Sequence, residues 1–220
     1  MKIDLHNHTA YSPDSTVQLR DAVAAARRSG MDGMAITDHN TVKGSVAAQS
    51  FTTENFVVLP GCELSAAEGH LLCIGIVDGI PAGLGMAEAV ERVTELGGIA
   101  VPSHPFRTGT GAGRNTLSRL NVKAIETVNG RNHSSRNREA LDFAASHGLG
   151  GTGGSDSHAV AEIGRAYTVM QCESLNVDDI IQEIAMSRTA GAGSGQGLSG
   201  SAKTLSKIVS EFVKRKGKHI

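Results

Sequence analysis

The chain has 220 residues, enough for one domain with a large core or for a barrel. It carries 21 Lys and Arg against 22 Asp and Glu, but six of the basic residues and only one acid lie from Lys203 onward, which leaves 15 basic against 21 acidic side chains before that point. An acidic body with no Trp, two Tyr and five Phe argues against a basic clamp on long nucleic acid or a base-stacking platform, and suits bound divalent cations.

In chain order, Lys2–Leu5 reads as a short strand and residues 16–29 as a helix with Leu19, Val23 and Ala26 on its apolar stripe, stopped by Gly30. Met34–Thr37 and Phe56–Leu59 follow as strands, and Leu71–Val77 as a longer one. Met86–Leu96 is a helix ending at Gly97-Gly98, then Ile99–Val101 and Val122–Val128 are strands. Arg136–His147 is a helix closed by Gly148, Ala166–Gln171 a late strand, and Asn176 can cap a helix across 177–187. Repeated βα units imply a parallel sheet with helices outside, here over residues 1–190. Gly191–Ser201 reads as a glycine-rich linker or surface loop. Beyond it, Leu205, Ile208, Val209, Phe212 and Val213 share one helical face with lysines opposite, so 202–220 is expected as a basic amphipathic helix docked on the barrel wall.

Three cysteines without a C-x-x-C pair suit a reducing compartment. The start, Met1-Lys2-Ile3-Asp4, has no secretory apolar region, and no apolar run reaches transmembrane length. A cytoplasmic protein is expected. The sequence carries no signal of oligomeric state.

Imidazole and carboxylate side chains cluster at six places: His6-x-His8, Asp38-His39, Glu63, His70, His104-Pro105 and Asp156-x-His158. These are ligand types for first-row metal ions, and their recurrence in a chain of nine histidines points to a multinuclear site. Nearly all sit just after a strand, where α/β sheets and barrels carry their active sites. His70 precedes its strand, so either that strand runs antiparallel or the loop 64–70 folds back over the mouth. Convergence of so many strands on one centre favours a closed barrel over an open sheet. The lack of thiolate ligands disfavours a closed structural zinc site and leaves Zn²⁺, Mn²⁺ or Fe²⁺.

Asp4-Leu5-His6-Asn7-His8-Thr9, followed by Ser12-Pro13-Asp14, resembles the first motif of the polymerase and histidinol phosphatase (PHP) superfamily. Ile36-Thr37-Asp38-His39-Asn40, Gly61-Cys62-Glu63, Ser103-His104-Pro105 and Gly154-Ser155-Asp156-Ser157-His158 resemble the next ones in order. Ile125-Glu126-Thr127-Val128-Asn129-Gly130 is similar to the I-E-x-x-N-G element of small stand-alone members. The resemblance implies a distorted (β/α)7 TIM-like barrel, two or three clustered metals and phosphoesterase activity. Carried over, His6, His8, Glu63 and Asp156 hold one metal; Glu63 bridges to a second held by His104 and His70; Asp14, His39 and His158 hold a third. Asp38 is expected behind the ligands, fixing the tautomer of a ligand histidine, together with Glu126.

The implied reaction is hydrolysis of a phosphomonoester or small nucleotide phosphate by a metal-bridging hydroxide at Glu63 and Asp156. Arg107 and Arg131 are candidates to grip the phosphate, with Asn129 beside them, and His133 is a candidate acid for the leaving oxygen. Three alternatives stand beside this reading. A 5′-3′ exonuclease on short oligonucleotides would want a basic groove. An amidohydrolase would want a carboxylated lysine in mid-barrel, where Glu63 sits and Lys123 is the only lysine on a mid-chain strand. A non-catalytic regulatory module would have lost ligands, whereas every main motif is present.

Overall fold

A computed structural model describes residues 1–172 and 174–195 as an α/β fold built on three sheets. The first has the order β10-β9-β1-β2-β3. Within it β1 (Lys2–Asp4), β2 (Gly33–Ala35) and β3 (Val57–Leu59) run parallel, while β9 (Ala166–Met170) and β10 (Thr189–Gly193) add on as antiparallel strands. The second is an antiparallel meander of β4 (Gly61–Ala66), β5 (Gly69–Ile74) and β6 (Ile99–Pro102). The third is the parallel pair β7 (Ala124–Asn129) and β8 (Gly150–Gly154). Bridges His39–Glu63 and Asn7–Ser157, and a bond from Leu5 N to Gly153 O at 3.4 Å, join the sheets at one end.

The helices α1 (Leu19–Arg28), α2 (Lys43–Ala48), α3 (Met86–Glu95), α4 (Gly113–Leu117), α5 (Ser134–His147) and α6 (Val177–Ala185) pack around these sheets. Each longer helix buries one stripe: Ala22, Val23, Ala25 and Ala26 on α1, Ala89, Val90 and Val93 on α3, Ile180 and Ile184 on α6. The expected stops and caps are in place, with Gly30 and Gly148 in left-handed conformation and the Asn176 side chain accepting from Asp178 N at 2.8 Å. The innermost core joins Ile3, Leu5, Leu59, Leu72, Val101 and Ile180. Each such side chain contributes about 1.5–3 kcal/mol on burial. Among the described residues no helix is long and apolar enough to cross a membrane.

Two features differ from the sequence expectation. The sheets are not all parallel: β5 reverses direction after the turn at Gly69 and pairs antiparallel with β4 and β6. That reversal carries His70, opposite Ser65 in register, to the same end as Glu63. Gly191–Gly193, expected in a loop, finish β10. Gly191 must be glycine, since a Cβ there would lie 2.5 Å from Thr152 O and 2.6 Å from Thr127 Oγ1. The rest of the expected loop beyond Gly195, and the expected helix over 202–220, lie outside the described residues.

Candidate metal centre

The turn after β1 sends His6 and His8 to one side and Asn7 to the other. Asn7 Nδ2 donates to Asp4 O and Ala35 O, each at 3.2 Å, so its side chain is spent on backbone while both imidazoles face a common centre. Asp4 anchors the turn, accepting from His6 N, Ser155 N, Ser155 Oγ and Gly164 N; burial pushes its carboxyl up to about 6 against the pull of those bonds. Asp4 opens the first motif, but its partners Ser155 and Gly164 are so distant in the chain that its anchoring role carries no local sequence signal. His104 and Asp156 follow β6 and β8 with φ of 31° and 53°, a conformation unusual outside glycine. Asp156 N donates to His6 O at 2.7 Å, which ties the two motifs together.

Glu63, projecting from the middle of β4, is the hub. Its Oε2 lies 3.3 Å from His6 Nε2, His8 Nε2 and His39 Nδ1, and its Oε1 lies 2.9 Å from His104 Nε2 and 3.2 Å from His70 Nδ1. Ser103 Oγ donates to the same Oε1 at 2.8 Å. Burial disfavours the Glu63 anion, yet the surrounding imidazoles, His6 foremost, hold its carboxyl well below the usual range. Asp156 Oδ1 lies 3.5 Å from His8 Nε2 and 3.7 Å from His6 Nε2. Burial likewise opposes its ionised form, and His6 and His8 outweigh it, so this carboxyl also titrates far below normal. An outer group forms where Asp14 Oδ2 lies 2.8 Å from His158 Nε2 and 3.3 Å from His39 Nε2.

Two observations fit these residues to cations. The Nε2 atoms of His6 and His8 lie 3.1 Å apart, and both face Glu63 Oε2 and Asp156 Oδ1. The Nδ1 atoms of His39 and His70 are buried and make no hydrogen bond, although each points at a Glu63 oxygen. Among the described residues, donor atoms within 4.8 Å of one another form four groups: His6, His8 and Glu63; His39, Glu63 and His70; His6, His104 and Asp156; and His8, Asp14, His39 and His158. Histidine and carboxylate oxygen without thiolate is the donor set of Zn²⁺, Mn²⁺ or Fe²⁺.

The remaining sequence candidates separate. Glu126 touches two ligand residues: Oε1 lies 3.0 Å from His6 Nδ1 and Oε2 accepts from His104 N at 2.6 Å. Asp38 instead grips Thr9, accepting from its N at 2.6 Å and from its Oγ1, so it holds the backbone after His8 and fixes no imidazole tautomer. Ser12 was missed; its Oγ accepts from His39 N at 2.9 Å and lies 3.3 Å from His8 Nδ1. The ligand groups open into a cleft of about 400 Å³ whose rim includes Arg107, Thr110 and Arg131. Arg131 Nη1 lies 2.6 Å from His158 Nδ1. Arg107 reaches inward to Asp156 Oδ2 at 2.7 Å. Asn129 is fully buried behind these groups, and His133 does not line the cleft: its Nδ1 accepts from Ser135 N at 3.3 Å, capping α5.

The match to known proteins agrees with this arrangement. The PHP domain model matches residues 4–130, and a PHP-associated model matches 134–189. The chain belongs to the PHP family. The second segment supplies Asp156 and His158 to the site, and its β8 and β9 pair with β7 and β1 of the first. The uncharacterised protein MJ1587 of Methanocaldococcus jannaschii is 34% identical over 140 residues, covering 59% of this chain and 82% of that protein. The fold is similar to a two-domain protein of Bacteroides vulgatus containing a predicted PHP-like metal-dependent phosphoesterase (TM-score 0.75, 20% identity), covering 88% of this chain but 64% of that longer one. It is also similar to a lesion-specific endonuclease of Pyrococcus furiosus (TM-score 0.65, 15% identity), covering 87% of this chain and 58% of that one.

Proposed function

We propose that this PHP-family protein is a metal-dependent hydrolase of phosphomonoesters, with a small nucleotide phosphate as the preferred class of substrate. The observation that carries the reading is Glu63: one buried carboxylate faced by five imidazoles, two of them with unbonded ring nitrogens. His6, His8, Glu63 and Asp156 would hold one cation, Glu63, His70 and His104 a second, and Asp14, His39 and His158 a third. Bound there, such cations offset the charge of a phosphate ester and bring the pKa of water near 7.

The chain's own residues do the rest. Arg131, on the rim, is suited to grip phosphate oxygens through paired N–H groups. Arg107 has Nε and Nη2 committed to Asn132, Asn129 and Asp156, so we assign it to ordering Asp156 more than to gripping substrate. With His133 spent on a helix cap, the leaving oxygen takes its proton from water in the open cleft. A cleft of about 400 Å³ suits a small ester and supports that class over a polymer. We read the three sheets as one distorted barrel, an arrangement supported by the bridges His39–Glu63 and Asn7–Ser157.

Phosphate release by the purified chain with Mn²⁺ tests this across phosphomonoesters, nucleoside mono- and bisphosphates and short 5′-phosphorylated oligonucleotides. Release from a few small nucleotides is expected. Release only from oligonucleotides would replace the substrate class, and none from any member, with metal bound, would overturn the proposal.

A further inference from the structure

Every hydrogen-bonding position of the buried Asn129 carboxamide is used. Its Nδ2 donates to Glu126 Oε2 at 2.9 Å and to Asp156 Oδ2 at 3.2 Å. Its Oδ1 accepts from Arg107 Nη2 at 2.7 Å, Arg131 N at 2.9 Å and Asn132 N at 3.1 Å. Two carboxylates on one side and three N–H groups on the other leave a single orientation for the amide. The backbone is fixed as well: Asn137 of α5 accepts from Asn129 N at 3.2 Å and donates to Asn129 O at 3.0 Å. Arg107 closes a ring, since the Nη2 that bonds Asn129 also donates to Asp156 Oδ2.

The two carboxylates that Asn129 holds turn their other oxygens toward the ligand rings. Glu126 Oε1 meets His6 Nδ1 at 3.0 Å, and Asp156 Oδ1 faces His6 Nε2 and His8 Nε2. His6 is therefore flanked at both ring nitrogens by carboxylates set by the same amide.

We propose that Asn129 is the positioning residue of the metal centre and not a substrate contact. One buried carboxamide sets Glu126 and Asp156 about His6 and orders Arg107 at the rim. The inference rests on the metal-binding reading above. The chemistry admits few substitutes. Asp would set a third carboxyl against two, Ala would leave both oxygens short of a donor in a dry site, and Gln would carry the amide one methylene too far.

The test is Mn²⁺ titration by calorimetry of the chelator-stripped wild-type chain and of Asn129→Asp and Asn129→Ala, with melting curves of each and the kcat and KM of the Mn²⁺-loaded forms. Both variants are expected to bind Mn²⁺ on the order of 10–100-fold more weakly, with kcat falling more than KM rises. If Asn129→Asp does not fold, Asn129→Ala carries the measurement. Wild-type Mn²⁺ affinity with a raised KM would make Asn129 a substrate contact, and wild-type affinity with only a lowered Tm would make it merely structural; either overturns the inference. Failure of the wild-type chain itself to bind Mn²⁺ would overturn the metal reading and this inference with it.

Discussion

His6 Nδ1 lies 3.0 Å from Glu126 Oε1, and both side chains are fully buried. A carboxylate only accepts, so Glu126 holds a ring proton on Nδ1 and leaves Nε2, which faces His8, Glu63 and Asp156, as the nitrogen a cation would take. Glu126 thus decides which nitrogen of His6 is available to a cation.

Glu126→Gln tests that relationship. The amide nitrogen would face either the His6 proton or the two donors His104 N and Asn129 Nδ2, so at least one bond is lost whichever way it turns. Metal affinity is expected to fall roughly 10–100-fold, measured by calorimetric titration with Mn²⁺. Unchanged affinity would remove Glu126 from the account.

Glu63→Gln and Asp156→Ala strike the donors themselves. Glu63→Gln takes the charge from a carboxyl faced by five imidazoles, and Asp156→Ala also strips Arg107 of its carboxylate partner. Each is expected to lower metal content and to reduce kcat by more than about 100-fold, beyond the loss typical of residues behind the ligands. Elemental analysis alongside phosphate release reads both effects.

His133→Ala separates a cap from an acid. Loss of an N-cap costs about 1 kcal/mol, or roughly 2–4 °C in Tm for a chain of this size. Turnover at saturating substrate is expected to stay within about twofold of wild type, since general acid catalysis is worth about 100-fold or more when lost. A drop of that size would return His133 to the reaction.

Gly154→Ala probes how β8 meets the site. A Cβ there would lie 2.3 Å from His6 Cβ and 2.7 Å from His6 N, so β8 must retreat and take Asp156 with it. The expected cost is about 1–3 kcal/mol together with weakened metal binding. Gly79→Ala, with open space around it, is the control expected to change neither.

The donor residues were legible because chemistry confines them: few other roles put His-x-His, Asp-His and Asp-x-His at successive strand ends. What carries them was less so. β8 is Gly-Gly-Thr-Gly-Gly and β10 is Thr-Ala-Gly-Ala-Gly, sequences with little strand propensity; pairing with β7 and β9 makes them strands, and their glycines sit where neighbouring atoms leave no room for a Cβ. Glu63 looked like a loop residue after Leu59, but Pro60 only separates two strands, and β4 begins at Gly61. The antiparallel turn at Gly69 is a tertiary choice, and it alone brings His70 to the centre. The hydrogen bonds of Asp38 and Asn129 were out of reach for the same reason. Thr9 and Asp38, or Asn129 and Asp156, are 29 and 27 residues apart, and side-chain partners at that separation follow from packing.

The most direct measurement strips the chain with chelator, confirms loss of metal, and follows phosphate release from a nucleoside monophosphate or bisphosphate as Mn²⁺ is returned. The account requires no turnover from the stripped chain and recovery that saturates at two or three equivalents, a recovery Glu63→Gln cannot match. Full turnover by the stripped chain, or a wild-type rate from Glu63→Gln, would contradict it.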